Sequence, residues 1–211
     1  MTNGGGDQQS GRRGKLIVLA GPSGVGKGAI VARLLAALPD LELSISATTR
    51  QPRAREDEGR HYHFVERQTF DDMIDADGFL EWADIFGERY GTPREPVARA
   101  LAEGRDVLVE IDVQGARQVK AAEPEAFMVF ITPPSLDELG RRLRTRGSET
   151  EQQISRRLAK ARDELAAEPE FDVTVVNDDL ETAAREVVEI VDRLRRRTIN
   201  GGHTRIKERK H

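Results

Sequence analysis

The chain has 211 residues, of which 33% are charged, and its net charge is only −4. This near balance argues against a general nucleic-acid binder, and the length suits one globular enzyme domain. The absence of cysteine excludes a disulfide framework and thiolate chemistry. Residues 1–12 are polar and Gly-rich with no apolar run, which predicts a disordered tail rather than a signal peptide, and hence a cytoplasmic protein. No stretch is long and apolar enough to predict a membrane span.

A short apolar run followed by a Gly-rich turn is the first strong motif. Leu16–Ala20 predicts a buried strand, and residues 27 to about 38 carry a helical apolar pattern. Residues 21–27 between them match G-x-x-x-x-G-K, the phosphate-binding loop, in the strand–loop–helix context that this motif requires. Backbone N–H groups at the helix start would bind an anion, and the lysine would add a charge for the β/γ-phosphates. The expected triphosphate-binding residues are Gly21, Pro22, Ser23, Gly24, Val25, Gly26, Lys27 and Gly28.

The loop departs from the common pattern at Gly28. A Ser or Thr whose hydroxyl binds Mg²⁺ ordinarily follows the lysine. Phosphate binding by backbone N–H groups and Lys27 does not need that hydroxyl. We therefore expect Mg²⁺ to be held by phosphate oxygens and waters, with Asp112 nearby.

An arginine-rich segment follows the first helix. Residues 43–46 alternate in polarity and predict a short strand, after which Arg50, Arg53, Arg55 and Arg60 fall within eleven residues. Guanidinium groups match phosphate oxygens in pairs, so a second anion site beside a phosphate-binding loop suggests a phosphorylated acceptor. Solvated surface charge is the alternative for each arginine, and it is the better interpretation of Arg55 and Arg60.

Two further apolar runs predict core strands. Residues 107–111 form the first, which contains Glu110 and is followed by Asp112, and residues 126–132 form the second. Buried acids are costly unless they have a task, and parallel sheets bind ligands at the carboxyl ends of their strands. We therefore expect Asp112 near the nucleotides. For Glu110, a structural hydrogen bond is an equally good interpretation.

Residues 137–157 predict two helices with a break at Gly147 and arginines at both edges. Thr150 and Gln153 have the spacing of a capping box for the second helix. Such a pair indicates a lid, because phosphoryl transfer needs cations around the transferred group and the exclusion of water. A charged, solvated helix pair is the alternative.

The remaining pattern predicts a last strand within residues 171–178 and an amphipathic helix over residues 180–194. Residues 199–211 have no apolar stripe and predict a basic tail, which could contact nucleic acid or an acidic surface.

Residues 48–64 read T-T-R-x-x-R-x-x-E-x-x-G-x-x-Y-x-F, which resembles the signature of the guanylate kinases, and the resemblance extends over about residues 15–191. It implies a three-layer α/β P-loop kinase fold with a mainly parallel sheet, a GMP-binding insert and a helical lid. The implied domain spans residues 13–198, with its core in residues 13–44, 95–136 and 158–198, the GMP-binding region in residues 45–94 and the lid in residues 137–157.

The same resemblance implies transfer of the γ-phosphoryl group of ATP to GMP, with Mg²⁺. Glu81 would accept hydrogen bonds from the N1–H and N2–H₂ groups of guanine, with the hydroxyls of Ser46 and Thr92 near O6, and Asp112 would face the bound GMP. The GMP phosphate would be held by Arg50, Arg53, Tyr62 and Tyr90. The ATP phosphates and the transferred group would be held by Lys27, Arg142, Arg146 and Arg157, with Asn177 near the adenine.

Two alternatives stay open. A guanylate-kinase-like binding module without catalysis would have lost the loop lysine or the acceptor arginines, both of which this chain keeps. A kinase of another nucleoside monophosphate would lack a carboxylate such as Glu81, which suits guanine and opposes adenine. Monomeric and homo-oligomeric forms are both compatible with the sequence.

Overall fold

A computed structural model describes residues 12–54, 56–85, 87–145 and 150–197 of the chain. Except for Arg12, the predicted tails lie outside these ranges, as do Arg55, Arg146 and Gly147. The strands are β1 (Leu16–Ala20), β2 (Glu42–Leu43), β3 (Ala47–Thr48), β4 (His63–Phe64), β5 (Phe79–Ile85), β6 (Glu88–Pro93), β7 (Val107–Glu110), β8 (Phe127–Thr132) and β9 (Val173–Val176). The helices are α1 (Lys27–Ala37), α2 (Arg67–Asp75), α3 (Arg94–Ala102), α4 (Val113–Ala122), α5 (Leu136–Thr145), α6 (Glu151–Leu165) and α7 (Leu180–Arg197).

The central sheet has five parallel strands in the order β2-β7-β1-β8-β9. Strand β1 lies in the middle and all five of its residues are buried, as its uninterrupted apolar sequence predicted. Ile17 pairs with Leu108 of β7 on one side and with Phe127 of β8 on the other. The residues that follow these strands therefore meet at one edge of the sheet.

Helices cover both faces of this sheet, so the predicted three-layer α/β fold is confirmed. Ile17 and Leu19 of β1 point to the face covered by α1 and α7. Leu16 and Val18, which alternate with them, point to the face covered by α3 and α4. Burial of apolar side chains in these two layers is the main stabilising contribution.

A second, four-stranded sheet has the order β4-β3-β6-β5, with β6 antiparallel to both of its neighbours. The prediction of one strand over residues 43–46 is wrong. Leu43 ends β2 in the central sheet, whereas Ala47 begins β3 in the second sheet. The alternating pattern concealed a change of sheet, because two short strands in succession give the same periodicity as one.

Helices α5 and α6 pack on each other through a small apolar core of their own, formed by Leu139, Leu143, Ile154 and Ala161. Thr150 begins α6 with the predicted capping box, in which both reciprocal hydrogen bonds with Gln153 are present. None of the described helices is both long and apolar enough to cross a membrane.

The carboxylate of Asp106, just before β7, ties both ends of the described chain to the central sheet. It accepts hydrogen bonds from the Arg12 guanidinium at 2.6 Å, the Lys15 backbone N–H at 2.8 Å and the Arg195 guanidinium at 2.7 Å. Asp106 is only 4% exposed, whereas the side chains of Arg12 and Arg195 are 35% and 18% exposed, so cations at the surface pair with a buried carboxylate.

We expect Asp106→Ala to lower the free energy of unfolding by about 2–4 kcal/mol, because it removes a buried charged acceptor that three donors share. Denaturant unfolding followed by circular dichroism measures the change. Glu95→Ala is the control, since Glu95 forms an exposed ion pair with Arg99 and its replacement should leave the midpoint nearly unchanged. Equal midpoints for both variants would contradict this account of Asp106.

Candidate functional site

The loop between β1 and α1 lies at the carboxyl edge of the central sheet. Gly26 begins α1 with a φ of 100°, a backbone conformation that favours glycine, and no side chain caps the helix. The free N–H groups of the first helical turn are thus available to an anion. Asn177 is 3% exposed and holds the loop in place, because its side-chain amide donates to the Val25 carbonyl at 2.7 Å.

Lys27 folds back across the loop that precedes it. Its Nζ donates to the carbonyl oxygens of Gly21 at 2.7 Å and Pro22 at 3.2 Å. Burial lowers the pKa of Lys27, and the nearby carboxylate of Glu110 opposes that effect. A phosphate at the loop would offer this ammonium group better acceptors than the two carbonyls.

Two cavities meet at the loop and share Gly24, Gly26 and Ala29 as lining residues. The larger, of about 660 Å³, lies between the loop and the second sheet, and the smaller, of about 480 Å³, lies between the loop, α5 and the start of α7. Predicted site residues that line the larger cavity are Gly21, Ser23, Gly24, Gly26, Lys27, Gly28, Ser46, Arg50, Arg53, Tyr62, Glu81, Tyr90, Asp112 and Arg157. Those that line the smaller cavity are Gly24, Val25, Gly26, Arg142 and Asn177. Pro22 and Thr92 line neither cavity.

One end of the larger cavity carries cationic and phenolic groups. Arg50 donates to the Tyr90 hydroxyl at 3.1 Å, and its guanidinium lies 5.5 Å from the ring centroid of Tyr62. The carboxylate of Glu56 accepts two hydrogen bonds from Nη1 and Nη2 of this guanidinium, at 2.9 and 3.1 Å. Hydrogen bonds from Arg50 lower the pKa of Glu56. Sequence reasoning gave Glu56 no role, although its place in the T-T-R-x-x-R-x-x-E motif was the available signal.

Strand β5 of the second sheet contributes a buried carboxyl group, that of Glu81, to the same cavity. Oε1 of Glu81 accepts hydrogen bonds from the Thr92 backbone N–H at 3.0 Å and from the Thr92 hydroxyl at 2.6 Å. Thr92 is therefore a support behind Glu81, rather than a group that faces the cavity. Burial raises the pKa of Glu81 to about 7, against the opposing effect of the Thr92 hydrogen bonds.

A chain of charged groups connects this region to α6. Asp112 caps α4 by accepting from the Gly115 N–H at 2.9 Å, and its other carboxylate oxygen pairs with Lys160 at 3.3 Å. Lys160 also pairs with Glu164 at 3.4 Å. Burial raises the pKa of Glu164, against the opposing effect of Lys160. Lys160 and Glu164 both line the larger cavity, and sequence reasoning missed them because neither belongs to a recognisable motif.

Glu110 faces the phosphate-binding loop from the end of β7. A Cβ placed on Gly28 would lie 3.8 Å from both of its carboxylate oxygens, which is ordinary van der Waals contact. Burial raises the pKa of Glu110, and Lys27 opposes that shift. Among the described residues, none donates a hydrogen bond to the Glu110 carboxylate. The structural interpretation considered for Glu110 therefore has no support here.

The helix pair α5–α6 brings two of the predicted arginines to the loop. Arg157 of α6 lies 3.4 Å from the Ser23 hydroxyl, at the mouth of the larger cavity. Arg142 of α5 instead donates to Glu138 at 2.7 Å and to the Asn177 carbonyl at 2.8 Å, and it lines the smaller cavity. The predicted Arg146 lies outside the described residues.

Comparison with known proteins decides the family. The guanylate kinase family model matches residues 13–194. Guanylate kinases from Synechococcus sp. (strain CC9902) and Streptomyces coelicolor are 58% and 53% identical to the chain over 174 and 180 residues. The chain belongs to the guanylate kinase family. These alignments cover 82% and 85% of this chain, and 93% and 91% of the two relatives.

A crystal structure of guanylate kinase from Anaplasma phagocytophilum has the same fold, with a TM-score of 0.73 and 31% identity over 87% of each chain. Guanylate kinases transfer a phosphoryl group from ATP to GMP, so this family assignment identifies the chain as an ATP:GMP phosphotransferase. The competing interpretations, a binding module and a kinase of another nucleoside monophosphate, are not favoured by these matches.

Guanylate kinases, as enzymes that use ATP, generally need a divalent metal ion. Among the described residues, no group of three or more His, Asp or Glu side chains could enclose such an ion. Glu110 and Asp112 nevertheless place oxygen donors at the carboxyl end of β7, beside the loop. This donor set fits an ion that keeps several waters and is held largely by substrate phosphates.

The raised pKa of Glu81 makes the stability of the nucleotide-free protein depend on pH. Since the native state binds the Glu81 proton more tightly than the unfolded chain, this contribution to stability is lost as pH rises from about 4.5 to about 7. We expect Glu81→Gln, which carries no charge at this position, to gain about 2.5 kcal/mol in the free energy of unfolding relative to the original protein between pH 5 and pH 8. Denaturant unfolding at both pH values measures this difference.

Glu95→Gln serves as the matched control, because it makes the same substitution at an exposed side chain. A pH-independent difference between Glu81→Gln and the original protein would show that Glu81 is ionised in the folded state throughout this range.

Proposed function

We propose that the larger cavity binds GMP and that the smaller cavity binds the adenine of ATP, with the two sets of phosphates meeting at the loop before α1. The observation that carries this assignment is the division of the larger cavity. Glu81 would form its base-reading end, Arg50 and Tyr90 would form its anion-binding end, and Lys27 lines the same cavity from the loop. The base and the phosphate of one nucleoside monophosphate would occupy these two ends.

The base-reading end suits guanine rather than adenine. An ionised Glu81 accepts hydrogen bonds from two adjacent donors, which guanine presents as N1–H and N2–H₂. Adenine offers a lone pair at the corresponding position and would leave the buried carboxylate unpaired, a difference that a polar site discriminates strongly. Ser46, which lines the same cavity, supplies a hydroxyl for O6.

The anion-binding end would hold the GMP phosphate through Arg50, Arg53, Tyr62 and Tyr90. Arg50 is fixed in advance by its bidentate pair with Glu56, so little conformational entropy is lost when the phosphate binds. Arg53 is exposed and would complete the site from the rim. Two guanidinium groups neutralise the phosphate dianion, while the phenolic hydroxyls donate without adding charge.

Transfer between the two nucleotides needs positioning and charge stabilisation more than acid–base chemistry, because the attacking phosphate is already an anion. Backbone N–H groups of the loop and Lys27 would bind the β- and γ-phosphates of ATP. Arg157 would approach the transferred group from α6, as we also propose for Arg146. Arg142, held by the Asn177 carbonyl, would border the adenine side of ATP.

Mg²⁺ is the divalent ion that we propose, held by phosphate oxygens and waters with Asp112 and Glu110 nearby. The ion would neutralise charge on the phosphates of ATP. A cytoplasmic location is part of the same proposal and rests on composition alone.

The test of this function is a substrate panel. Purified protein receives ATP and Mg²⁺ with GMP, AMP, UMP or CMP, and ADP release is followed. We expect turnover with GMP that exceeds turnover with each other acceptor by at least about a hundredfold. In Glu81→Ala the KM for GMP should rise far more than the KM for ATP. Absence of turnover with GMP would favour the binding module, and equal losses for both nucleotides would mean that Glu81 does not read the base.

Gly28→Ser tests how the protein manages without the loop hydroxyl. The new Cβ has room at 3.8 Å from Glu110, so the variant should fold normally. We expect the Mg²⁺ concentration for half-maximal binding of ATP to fall by less than about tenfold, because phosphates and waters already supply most ligands. Calorimetric titration measures the change, and Gly28→Ala, which adds the Cβ without the hydroxyl, is the control. A rise in activity by orders of magnitude in the serine variant alone would indicate that the natural loop is catalytically deficient.

A further inference from the structure

Gly115, in the first turn of α4, lies directly against the carboxyl group of Glu81. A Cβ placed on Gly115 would be 2.4 Å from Oε2 of Glu81 and 3.0 Å from its Cδ, both far inside van der Waals contact. No other described group lies among the three atoms nearest to that Cβ, since the third is Cγ of Glu81 at 3.4 Å. The space that a larger residue would occupy is therefore filled by the base-reading side chain.

The backbone does not explain why this position is a glycine. The φ angle of Gly115 is not positive, so an alanine could adopt its backbone conformation. A glycine within a helix is less favourable than alanine by about 1 kcal/mol. This glycine lies where α4 contacts Glu81. We infer that a steric constraint, rather than backbone conformation, excludes alanine from this position.

Neither side of this contact is free to withdraw. Oε1 of Glu81 is held by two hydrogen bonds from Thr92, and Glu81 is only 5% exposed. Helix α4 is fastened to β5 beside it, because the Gln118 side chain donates to the Trp82 carbonyl at 2.7 Å and accepts from the Trp82 N–H at 3.2 Å. Added volume at Gly115 must consequently displace the Glu81 carboxyl group.

We propose that Gly115 is a positioning residue for guanine selectivity, which keeps the carboxyl group of Glu81 in the orientation that reads the base. Gln118 fixes the distance between α4 and β5, and with it the distance between Gly115 and the Glu81 carboxyl group. The inference rests on the proposed function of Glu81, and it adds a determinant that touches no substrate itself. Its effect should appear in the affinity and selectivity for GMP, and not in the binding of ATP.

A double-mutant cycle tests the proposal. We expect Gly115→Ala to raise the KM for GMP by about 10- to 100-fold and to reduce the preference for GMP over AMP, because the displaced carboxyl group loses its hydrogen bonds to the base. The KM for ATP should stay within twofold. In the Glu81→Ala background, Gly115→Ala should change neither quantity, since no carboxyl group remains to be displaced. Gln114→Ala, an exposed change one residue earlier in α4, is the matched control and should behave as the original protein.

Thermal unfolding without nucleotides provides a second readout of the same cycle. Gly115→Ala should lower the midpoint when Glu81 is present and raise it when Glu81 is replaced by Ala, where only the better helix propensity of alanine remains. An unchanged GMP affinity in Gly115→Ala, or equal losses in both backgrounds, would overturn the proposal. If Gly115→Ala does not fold but the double variant does, the contact with Glu81 is the cause; if neither folds, the proposal is wrong. A Glu81→Ala variant that keeps its preference for GMP would instead refute the base-reading role of Glu81, even if the stability cycle behaves as described.

Discussion

Parallel pairing of β1 with β7 and β8 is the constraint on which the rest of the structure depends. It buries β1 completely and brings the ends of neighbouring strands to one edge of the sheet. The phosphate-binding loop, the acids at the end of β7 and Asn177 after β9 are distant in sequence, yet they meet there. Ile111 donates its N–H to the Leu19 carbonyl at 3.2 Å, so hydrogen bonding to β1 continues one residue past the end of β7. The proposed contacts of the ATP phosphates with the loop before α1 follow from this arrangement, whereas those of the GMP phosphate depend on the second sheet.

The larger cavity combines carboxylates with cations in a way that stability alone would not favour. Glu81, Glu110 and Glu164 all have raised pKa values because burial disfavours their charged forms, while Lys27 has a lowered pKa for the same reason. Buried acids and lysines with shifts of this kind are concentrated at functional sites. Two nucleotides would bring several negative charges into this space. Cations that now pair with carboxylates or carbonyls, such as Lys160, would then acquire phosphate neighbours.

Sequence patterns predicted the elements whose signal is local. The phosphate-binding loop, β1, α1 and the capping box of α6 all follow from residues adjacent in the chain. Features that depend on contacts between distant segments were not predictable in this way. The change of sheet after Leu43 leaves no mark on periodicity, and the support of Glu81 by Thr92 depends on the pairing of β5 with β6. No local pattern marks Gly115, because the carboxyl group that excludes a larger residue lies 34 positions earlier in the chain.

The buried carboxyl group of Glu81 has a thermodynamic consequence for ligand binding. At neutral pH it is divided between its protonated and ionised forms, because its pKa is about 7. Under the proposed role of Glu81, hydrogen bonds from the two N–H donors of guanine would stabilise the ionised form more than the protonated form, so GMP binding would be coupled to the release of a proton to solvent. The heat of that event includes the heat of protonating the buffer. Calorimetric enthalpies of GMP binding would therefore differ between buffers of different ionisation enthalpy at the same pH. The slope of that dependence gives the net number of protons released, and its change in Glu81→Gln gives the part that belongs to Glu81.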